Sequence, residues 1–320
     1  MAGQRDGLMK DPGTEGYRAG FAILVGRPNA GKSTLTNALL GQKVAITSNK
    51  PQTTRHTIRG ILHRPDAQLV LVDTPGLHRP RTLLGQRLND LVAATLSEVD
   101  AIGFCLPANE ALGPGDRFIA QQLAMVGRKP IIAVVTKTDL VGREQLGEKL
   151  LAVAAMGQEV LGGEGFREIV PVSGKDGFQI RSLEDVLISY MPPSPPLYPE
   201  GELTDEPESV MVAELIREAA LEGVRDELPH SLAVVVEEML PREGRSEDNP
   251  LLDVRVHLFV ERPSQKAIII GKGGSRLKEV GTRARKGIEA LLGTKVYLDL
   301  HVKVAKDWQR DPKQLGRLGF

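Results

Sequence analysis

The sequence predicts an α/β domain with a mostly parallel sheet of about six strands and helices on both faces, followed by a smaller α+β domain. Three observations carry this prediction. Short apolar runs alternate with helical periodicity from Phe21 to about Tyr190, as in parallel sheets that are buried on both faces. A proline-rich stretch then interrupts the chain, and after it the order changes to helix, two strands, helix and strand.

The elements of the first domain follow from hydrophobic spacing. Strands are expected at 21–25, 69–72, 101–106, 131–135 and 169–172, with a further candidate at 58–63. Helices are expected at 84–99, 115–126, 144–160 and 182–190. In the second domain, we expect helices at 210–223 and 275–292 and strands at 232–240, 252–260 and 295–304.

Composition places the domain boundaries. Residues 1–19 are small, polar and charged, and are predicted to be a disordered tail. The first domain is predicted at 20–191 and the second at 209–305, joined by a Pro-rich linker at 192–208. Prolines at this density exclude a helix or a central strand. The polar segment 306–320 is predicted to be a loose C-terminal tail.

Bulk properties exclude several classes of protein. The 320 residues carry 41 basic and 41 acidic side chains, so any nucleic-acid surface must be local. Cys105 is the one cysteine, which excludes a disulfide within the chain and favours a reducing compartment. The first twenty residues lack the apolar core of a secretory signal, and no run reaches the roughly 18–20 apolar residues of a membrane span.

A phosphate-binding loop is predicted between the first strand and the first helix. The run Gly26-Arg27-Pro28-Asn29-Ala30-Gly31-Lys32-Ser33, followed by Thr34, has the spacing G-x-x-x-x-G-K-S. Glycines let main-chain N–H groups approach a polyphosphate, and the helix adds the positive end of its dipole. Lys32 would reach the β- and γ-phosphates, and Ser33 would offer its hydroxyl to Mg²⁺.

Asp73-Thr74-Pro75-Gly76 directly follows the strand at 69–72. A carboxylate at this strand end can hold Mg²⁺ beside Ser33, and Gly76 can bring its N–H to the γ-phosphate. The loop Gln52-Thr53-Thr54-Arg55-His56 is predicted to be a switch segment whose threonine closes onto Mg²⁺. We assign Thr54 to this role, with Thr53 as the open alternative.

Two further strand ends are predicted to read the base. Asp139, in Thr136-Lys137-Thr138-Asp139, can accept hydrogen bonds from N1–H and the exocyclic amine of guanine. Adenine would leave that carboxylate unpaired, which discriminates strongly against it. The segment Ser173-Gly174-Lys175 can offer a main-chain N–H to the guanine O6.

A single-stranded nucleic-acid site is predicted in the second domain. Gly271-Lys272-Gly273-Gly274 has the form G-x-x-G of a KH loop, which clamps a sugar–phosphate backbone. Arg276 and Lys278 follow it, and from Arg262 to Lys286 eight residues are basic and one is acidic. In a chain of zero net charge, such a cluster favours a phosphate-binding surface.

Together, these segments resemble the translation-factor-like GTPases and, more narrowly, the Era family. The resemblance rests on Gly26–Thr34, on Pro51-Gln52-Thr53-Thr54-Arg55-His56 and on Asp73-Thr74-Pro75-Gly76-Leu77-His78, and it covers about residues 20–305. It implies a P-loop GTPase domain and a type II KH domain. The catalytic residues would be Lys32, Thr54 and Gly76, and the Mg²⁺ ligands Ser33, Thr54 and Asp73.

The chain departs from the family at Thr136, where Asn is usual, and at Gly174, where Ala is usual. A hydrogen bond to the base or to the P-loop is therefore in question at position 136. Leu77, as in the family, replaces the water-orienting Gln of many GTPases, which predicts slow intrinsic hydrolysis. Asn29 matches a position that holds K⁺ in some relatives, so K⁺ stimulation is a further hypothesis.

The resemblance also implies partners: GTP and GDP, the 3′ end of 16S rRNA and the 30S subunit, in whose assembly and rRNA processing the chain would act. It implies a cytoplasmic monomer with peripheral contact to the cytoplasmic face of the membrane. Two other classes stay open. One is a P-loop phosphotransferase, which would leave Asp139 unexplained, and the other is a non-hydrolysing KH scaffold.

Overall fold

The computed structural model describes residues 16–46, 55–77, 80, 82–163, 165–224, 228–246 and 249–320, with the side chains of 229 and 230 outside the description. Its first sheet has six strands in the order β2-β3-β1-β4-β5-β6. They are β1 (Arg18–Val25), β2 (Ile58–Arg64), β3 (Ala67–Asp73), β4 (Ala101–Pro107), β5 (Ile131–Thr136) and β6 (Glu168–Pro171). Only β2 runs antiparallel to its neighbour, which confirms the predicted mostly parallel sheet.

Helices cover both faces of this sheet, as predicted. They are α1 (Lys32–Leu40), α2 (Leu83–Glu98), α3 (Pro114–Ala124), α4 (Arg143–Leu161) and α5 (Ile180–Ser189). Leu35 of α1 and Leu183 of α5 belong to one apolar core, whereas Val92 of α2 and Ile119 of α3 belong to the other. Chain order reverses direction at β1, and ligands of open α/β sheets bind at such a switch point, beyond the carboxyl ends of the strands.

The second domain contains the predicted α+β arrangement. Its elements are α6 (Glu208–Leu221), α7 (Leu228–Ser231), β7 (Ala233–Pro241), β8 (Leu251–Val260), α8 (Pro263–Ile270), α9 (Ser275–Leu292) and β9 (Lys295–Val304). The sheet order is β7-β8-β9, with β7 antiparallel and β9 parallel to β8. This order, with α6 and β7 before the central strand, is that of a type II KH fold. Val212, Val280 and Ile288 pack with the sheet in one core.

The start of β1 corrects the predicted N-terminal tail. Arg18 and Ala19 belong to β1 and pair with Ala67 and Gln68 of β3. Sequence reasoning placed them in the tail because residues 1–19 are on average small, polar and charged, whereas pairing with β3 makes Arg18 and Ala19 part of the sheet. The rest of the predicted tail, residues 1–15, lies outside the described residues.

The Pro-rich linker is anchored along the first domain. Buried Gln68 accepts hydrogen bonds from Leu197 N at 2.6 Å and from Tyr198 N at 2.9 Å, and its amide donates to the Tyr198 carbonyl at 2.9 Å. Ile61 N donates to the Leu203 carbonyl at 2.9 Å. The Tyr198 hydroxyl donates to Asp205, also on the linker, at 2.7 Å. These bonds fix the linker against β2 and β3 of the sheet.

The C-terminal segment is folded, which corrects the expectation of a loose tail. It forms a 3₁₀ turn at Trp308–Arg310 and a short helix α10 at Pro312–Arg317. Trp308 is fully buried in an apolar cluster with Leu84 of α2 and Phe259 of β8. The segment is polar on average, but its apolar residues all lie on the side that packs between the two domains.

Candidate functional site

The predicted phosphate loop lies between β1 and α1, as the motif requires. A Cβ at Gly26 would lie 2.7 Å from the Cys105 carbonyl oxygen, so only glycine fits there. Gly31 has φ 89° and Asn29 has φ 63°, both in the left-handed region. These torsions curl the main chain around the N-terminus of α1, where N–H groups can meet an anion.

Lys32 is the first residue of α1, and its side chain turns back over the loop. Its ammonium donates to the carbonyls of Gly26 at 3.4 Å and Arg27 at 3.2 Å. Burial lowers the pKa of Lys32, and the Asp73 carboxylate opposes that shift. A phosphate here would favour the charged ammonium further.

Ser33 and Asp73 meet at the carboxyl end of the sheet. The Ser33 hydroxyl donates to Asp73 Oδ2 at 2.7 Å. Asp73 is completely buried, at the end of β3 beside the P-loop strand. A hydroxyl and a carboxylate side by side form the hard oxygen set that Mg²⁺ prefers, so these residues fit that ion. The Thr74 hydroxyl donates to the Leu24 carbonyl at 3.0 Å and holds the following turn.

The turn at Gly76 is packed directly against the phosphate loop. A Cβ at Gly76 would lie 2.7 Å from the Pro28 nitrogen, which is a backbone atom that cannot step aside. Leu77 N donates to the Gly26 carbonyl at 3.2 Å. The Leu77 side chain is buried in the core of the sheet. It therefore cannot orient a water as a glutamine would.

The two predicted base-reading segments are joined by a hydrogen bond. The Ser173 hydroxyl donates to Asp139 Oδ1 at 2.9 Å and accepts from Asp176 N at 3.0 Å. Thr138 N donates to the Val172 carbonyl at 3.3 Å, which ties the end of β5 to the chain after β6. The carboxylate is thus oriented before any base binds.

Lys137, Gly174 and Lys175 complete these two turns. Lys137 has φ 58°, and its ammonium lies 3.6 Å from Glu110 Oε1. A Cβ at Gly174 would lie 3.2 Å from the Thr34 carbonyl oxygen, so this turn packs tightly against the backbone of α1. Lys175 follows on the exposed turn.

Thr136 makes one of the two hydrogen bonds that were in question at this position, the bond to the P-loop. Its buried hydroxyl donates to the Ala30 carbonyl in the P-loop at 2.7 Å. The hydrogen bond to the P-loop that an asparagine would provide is therefore made here by threonine.

Arg27 is held by an ion-pair network that sequence reasoning missed. Its guanidinium contacts Asp116 of α3 at 2.7 Å and Glu110 at 2.8 Å. The Lys149 ammonium donates to the Glu110 carbonyl at 2.6 Å. Only the chain fold brings these distant residues together, and no local motif signals them. The network stiffens the outer wall of the P-loop.

The structure describes two of the five residues of the predicted switch segment, Arg55 and His56. Gln52, Thr53 and Thr54 lie outside the described residues. Arg55 donates to the Leu232 carbonyl at 2.6 Å, and His56 stacks on Phe320. These two residues therefore contact the second domain and the C-terminal segment.

The G-x-x-G loop lies between α8 and α9, as predicted. Gly273 has φ 59° with nothing within 4 Å of an added Cβ, so its backbone is open to a ligand. A Cβ at Gly271 would lie 2.7 Å from the Arg276 Cβ. Gly274 has φ 79° and precedes the first residue of α9. Gly273 thus leaves the backbone of the loop exposed, whereas Gly271 lets the loop pack closely against the start of α9.

The basic residues of this region divide into two groups. Lys272 and Lys278 are exposed, beside the open backbone. Arg276 instead donates to the carbonyls of Ala220 at 3.3 Å and Glu222 at 2.7 Å. Its guanidinium therefore caps the C-terminal end of α6, a partner that sequence alone did not reveal.

Comparison with known proteins identifies both domains. A family model described as "50S ribosome-binding GTPase" matches residues 21–137, and one described as "KH domain" matches residues 227–309. GTPase Era of Streptomyces coelicolor is 69% identical over 311 residues, covering 97% of this chain and 98% of that protein. GTPase Era of Mycolicibacterium smegmatis is 67% identical, covering 95% and 99%.

Two solved structures are similar over both domains. One is Era in complex with MgGDPNP and nucleotides 1506–1542 of 16S ribosomal RNA, with a TM-score of 0.88, 37% identity, and coverage of 95% of this chain and 99% of that one. The other is a single-residue variant of Aquifex aeolicus Era bound to GDP.AlF4−, also with a TM-score of 0.88 and 37% identity, covering 94% and 99%. The chain belongs to the Era family of GTPases.

Proposed function

We propose that the chain is a GTP-hydrolysing switch that binds the 3′ end of 16S rRNA through its KH domain and acts in 16S rRNA processing and 30S subunit assembly. One observation carries the proposal. The similar Era structure holds MgGDPNP and nucleotides 1506–1542 of 16S rRNA together, and this chain has the same two domains across 95% of its length.

The nucleotide roles follow from the site geometry. Residues Gly26–Thr34 would surround the phosphates, with Lys32 at the β- and γ-phosphates and the Gly76 N–H at the γ-phosphate. Asp139, oriented by Ser173, would accept from guanine, and the Ser173–Lys175 turn would face O6. Ser33, Asp73 and Thr54 would hold Mg²⁺, which neutralises charge on the phosphate oxygens.

Hydrolysis is expected to be slow and to depend on K⁺. The buried Leu77 offers no group that could position a water, so this side chain does not activate the nucleophile. Asn29 lies in the P-loop with φ 63°, where its amide oxygen can serve a monovalent cation. Turnover should be faster in KCl than in NaCl at equal ionic strength, and equal rates would remove Asn29 from this role.

The RNA roles fall on the open part of the KH loop. Gly273 and Gly274 present main chain, while Lys272 and Lys278 supply charge for phosphates. Arg276 supports the loop through α6 as well as adding charge. The protein is expected to act as a cytoplasmic monomer. Peripheral contact with the membrane rests on the family resemblance alone, and in the described part of the chain no helix is long and apolar enough to cross a bilayer.

The proposal is tested by GTP turnover together with binding of an RNA oligonucleotide that carries the 16S rRNA 3′ end. Gly273→Asp should weaken RNA binding by at least about tenfold, because the carboxylate repels the phosphates it faces. Gly244→Asp is the matched control: Gly244 also has positive φ and open space, but it lies in the turn after β7. Absence of GTP turnover, or equal RNA binding by both variants, would contradict the proposal.

A further inference from the structure

Arg55 belongs to the first domain, but its side chain is buried in the second. It is 1% exposed, and its Nη1 donates to the Leu232 carbonyl at 2.6 Å. The guanidinium carbon lies 5.5 Å from the centre of the Trp308 ring and 5.9 Å from that of Phe320. A planar cation stacked on aromatic rings with a carbonyl at its edge is a site built for arginine.

Charges around Arg55 make this docking specific. Burial lowers the pKa of Arg55 to about 9, with repulsion from Arg217 acting in the same direction and attraction from Glu214 and Glu261 opposing it. Arg217 and Glu214 form a buried ion pair on α6 at 2.9 Å. A buried cation that loses its matched surroundings is strongly destabilised. The guanidinium is therefore matched to these surroundings as long as it stays buried.

The pocket is closed by the C-terminal segment, which also contacts the helix after the Gly76 turn. The Phe320 ring stacks on His56 at 5.2 Å and on Trp308 at 5.6 Å. The Phe320 carbonyl accepts a hydrogen bond from Arg87 of α2 at 2.5 Å. Leu84 and Leu88 of α2 share the apolar cluster with Trp308. The C-terminal segment thus contacts the predicted switch segment through His56 and the helix that follows the Gly76 turn through Arg87.

We propose that Arg55 is a positioning residue that couples the nucleotide site to the KH domain, and that Trp308 and Phe320 form the pocket through which the coupling acts. This inference rests on the proposed function. Arg55 is the first described residue of the predicted switch segment 52–56, so its buried guanidinium ties that segment to the KH domain. RNA that shifts the KH domain then changes the nucleotide site, and the nucleotide changes RNA affinity.

The test measures coupling in the full-length chain in both directions. RNA affinity is measured with GDPNP and with GDP, and affinity for each nucleotide is measured with and without the 16S rRNA 3′ oligonucleotide. The first ratio is the RNA affinity with GDPNP divided by that with GDP. The second is the change that RNA causes in GDPNP affinity divided by the change that it causes in GDP affinity, and linkage requires the two to be equal. In Arg55→Leu both ratios should fall to within about twofold of one. Arg55→Lys keeps the charge but loses the planar stack, so its ratios should lie between those of the wild type and those of Arg55→Leu.

Variants of the pocket separate coupling from folding. Trp308→Phe keeps an aromatic face and should retain most of the coupling. Trp308→Leu is a smaller apolar side chain without a π-face and should lose it. Lys43→Ala is the matched control, because it removes another contact between the domains, the exposed 2.5 Å pair with Glu218. It should leave both ratios unchanged.

The coupling ratios of these variants decide whether the inference holds. Loss of coupling in Arg55→Leu and Trp308→Leu with retention in Trp308→Phe and Lys43→Ala supports the inference. Undiminished coupling in Arg55→Leu, or a wild-type chain that binds both ligands independently, overturns it while leaving the two binding activities in place. A wild-type chain that binds no GTP or no RNA overturns the proposed function as well.

Discussion

At the scale of single residues, the Thr136 hydroxyl donates the hydrogen bond to the P-loop that the amide of an asparagine would otherwise donate. Its bond to the Ala30 carbonyl is buried, so Thr136→Val leaves that acceptor without its donor. A lost buried hydrogen bond costs about 1 kcal/mol or somewhat more of stability. Because this bond holds the P-loop that would surround the phosphates, we expect at most that cost to appear in binding, as up to a roughly five- to tenfold rise in the Kd for GTP. Equilibrium binding of a fluorescent GTP analogue measures the change.

Two other substitutions at this position control the experiment. Thr136→Ser keeps the hydroxyl and should bind GTP nearly as the wild type does. Thr136→Asn offers an amide donor in its place and should also retain affinity. Valine and serine variants of equal affinity would show that the bond to Ala30 contributes nothing.

The rate at which a reagent labels the Cys105 thiol measures how often the core behind the P-loop opens. It is 0% exposed on β4, and burial raises its thiol pKa to about 12. Because thiolate is the reactive form, a thiol reagent at neutral pH should label the native chain only as fast as it unfolds. Labelling within seconds in native buffer, as rapid as in concentrated urea, would contradict this placement.

At the scale of elements, the linker is held by one buried amide. Gln68 makes three hydrogen bonds to the backbone at Leu197 and Tyr198. Gln68→Ala should lower the free energy of unfolding by about 1–3 kcal/mol, because it strands buried N–H groups. Limited proteolysis should then cut within 192–208. Gln86→Ala, at an exposed position of α2, should change neither unfolding nor cleavage.

The exposed face of α9 and its preceding loop should bind RNA mainly through charge. Each phosphate neutralised adds about −0.7 to the slope of log Kobs against log salt for single strands. The double change Lys272→Ala and Lys278→Ala should therefore make that slope shallower by about 1.4. Arg143→Ala, on exposed α4 of the first domain, is the control. A slope unchanged by the double variant would remove these lysines from the interface.

At the scale of the whole molecule, the sequence predicted what local patterns can encode. The P-loop, Asp73, Asp139 and Ser173 each follow an apolar run, and the carboxyl ends of parallel strands gather at one edge. Their proximity could therefore be predicted before any distance was known. The KH loop was equally local, because its glycines directly precede the predicted helix at 275–292.

Contacts over long chain distances could not be predicted in this way. The anchoring of the linker depends on Gln68, which a sequence pattern presents as an ordinary polar residue of a strand. Trp308, Leu315 and Leu318 lie in a polar segment, and only their common burial against α2 and β8 makes that segment fold. The partners of Arg27, Arg55 and Arg276 could not be predicted either, because they lie far away in the chain.

The central claim is that the carboxylate of Asp139 selects guanine, and competition binding tests it most directly. Wild-type protein should bind GTP at least about a hundredfold more tightly than ATP or XTP, since a stranded polar group discriminates strongly. Asp139→Asn should reverse the order of GTP and XTP, because xanthine carries a carbonyl where guanine carries its amine, and the new amide donates to it. Equal binding of GTP and ATP by the wild type, or an unaltered GTP preference in Asp139→Asn, would contradict the account.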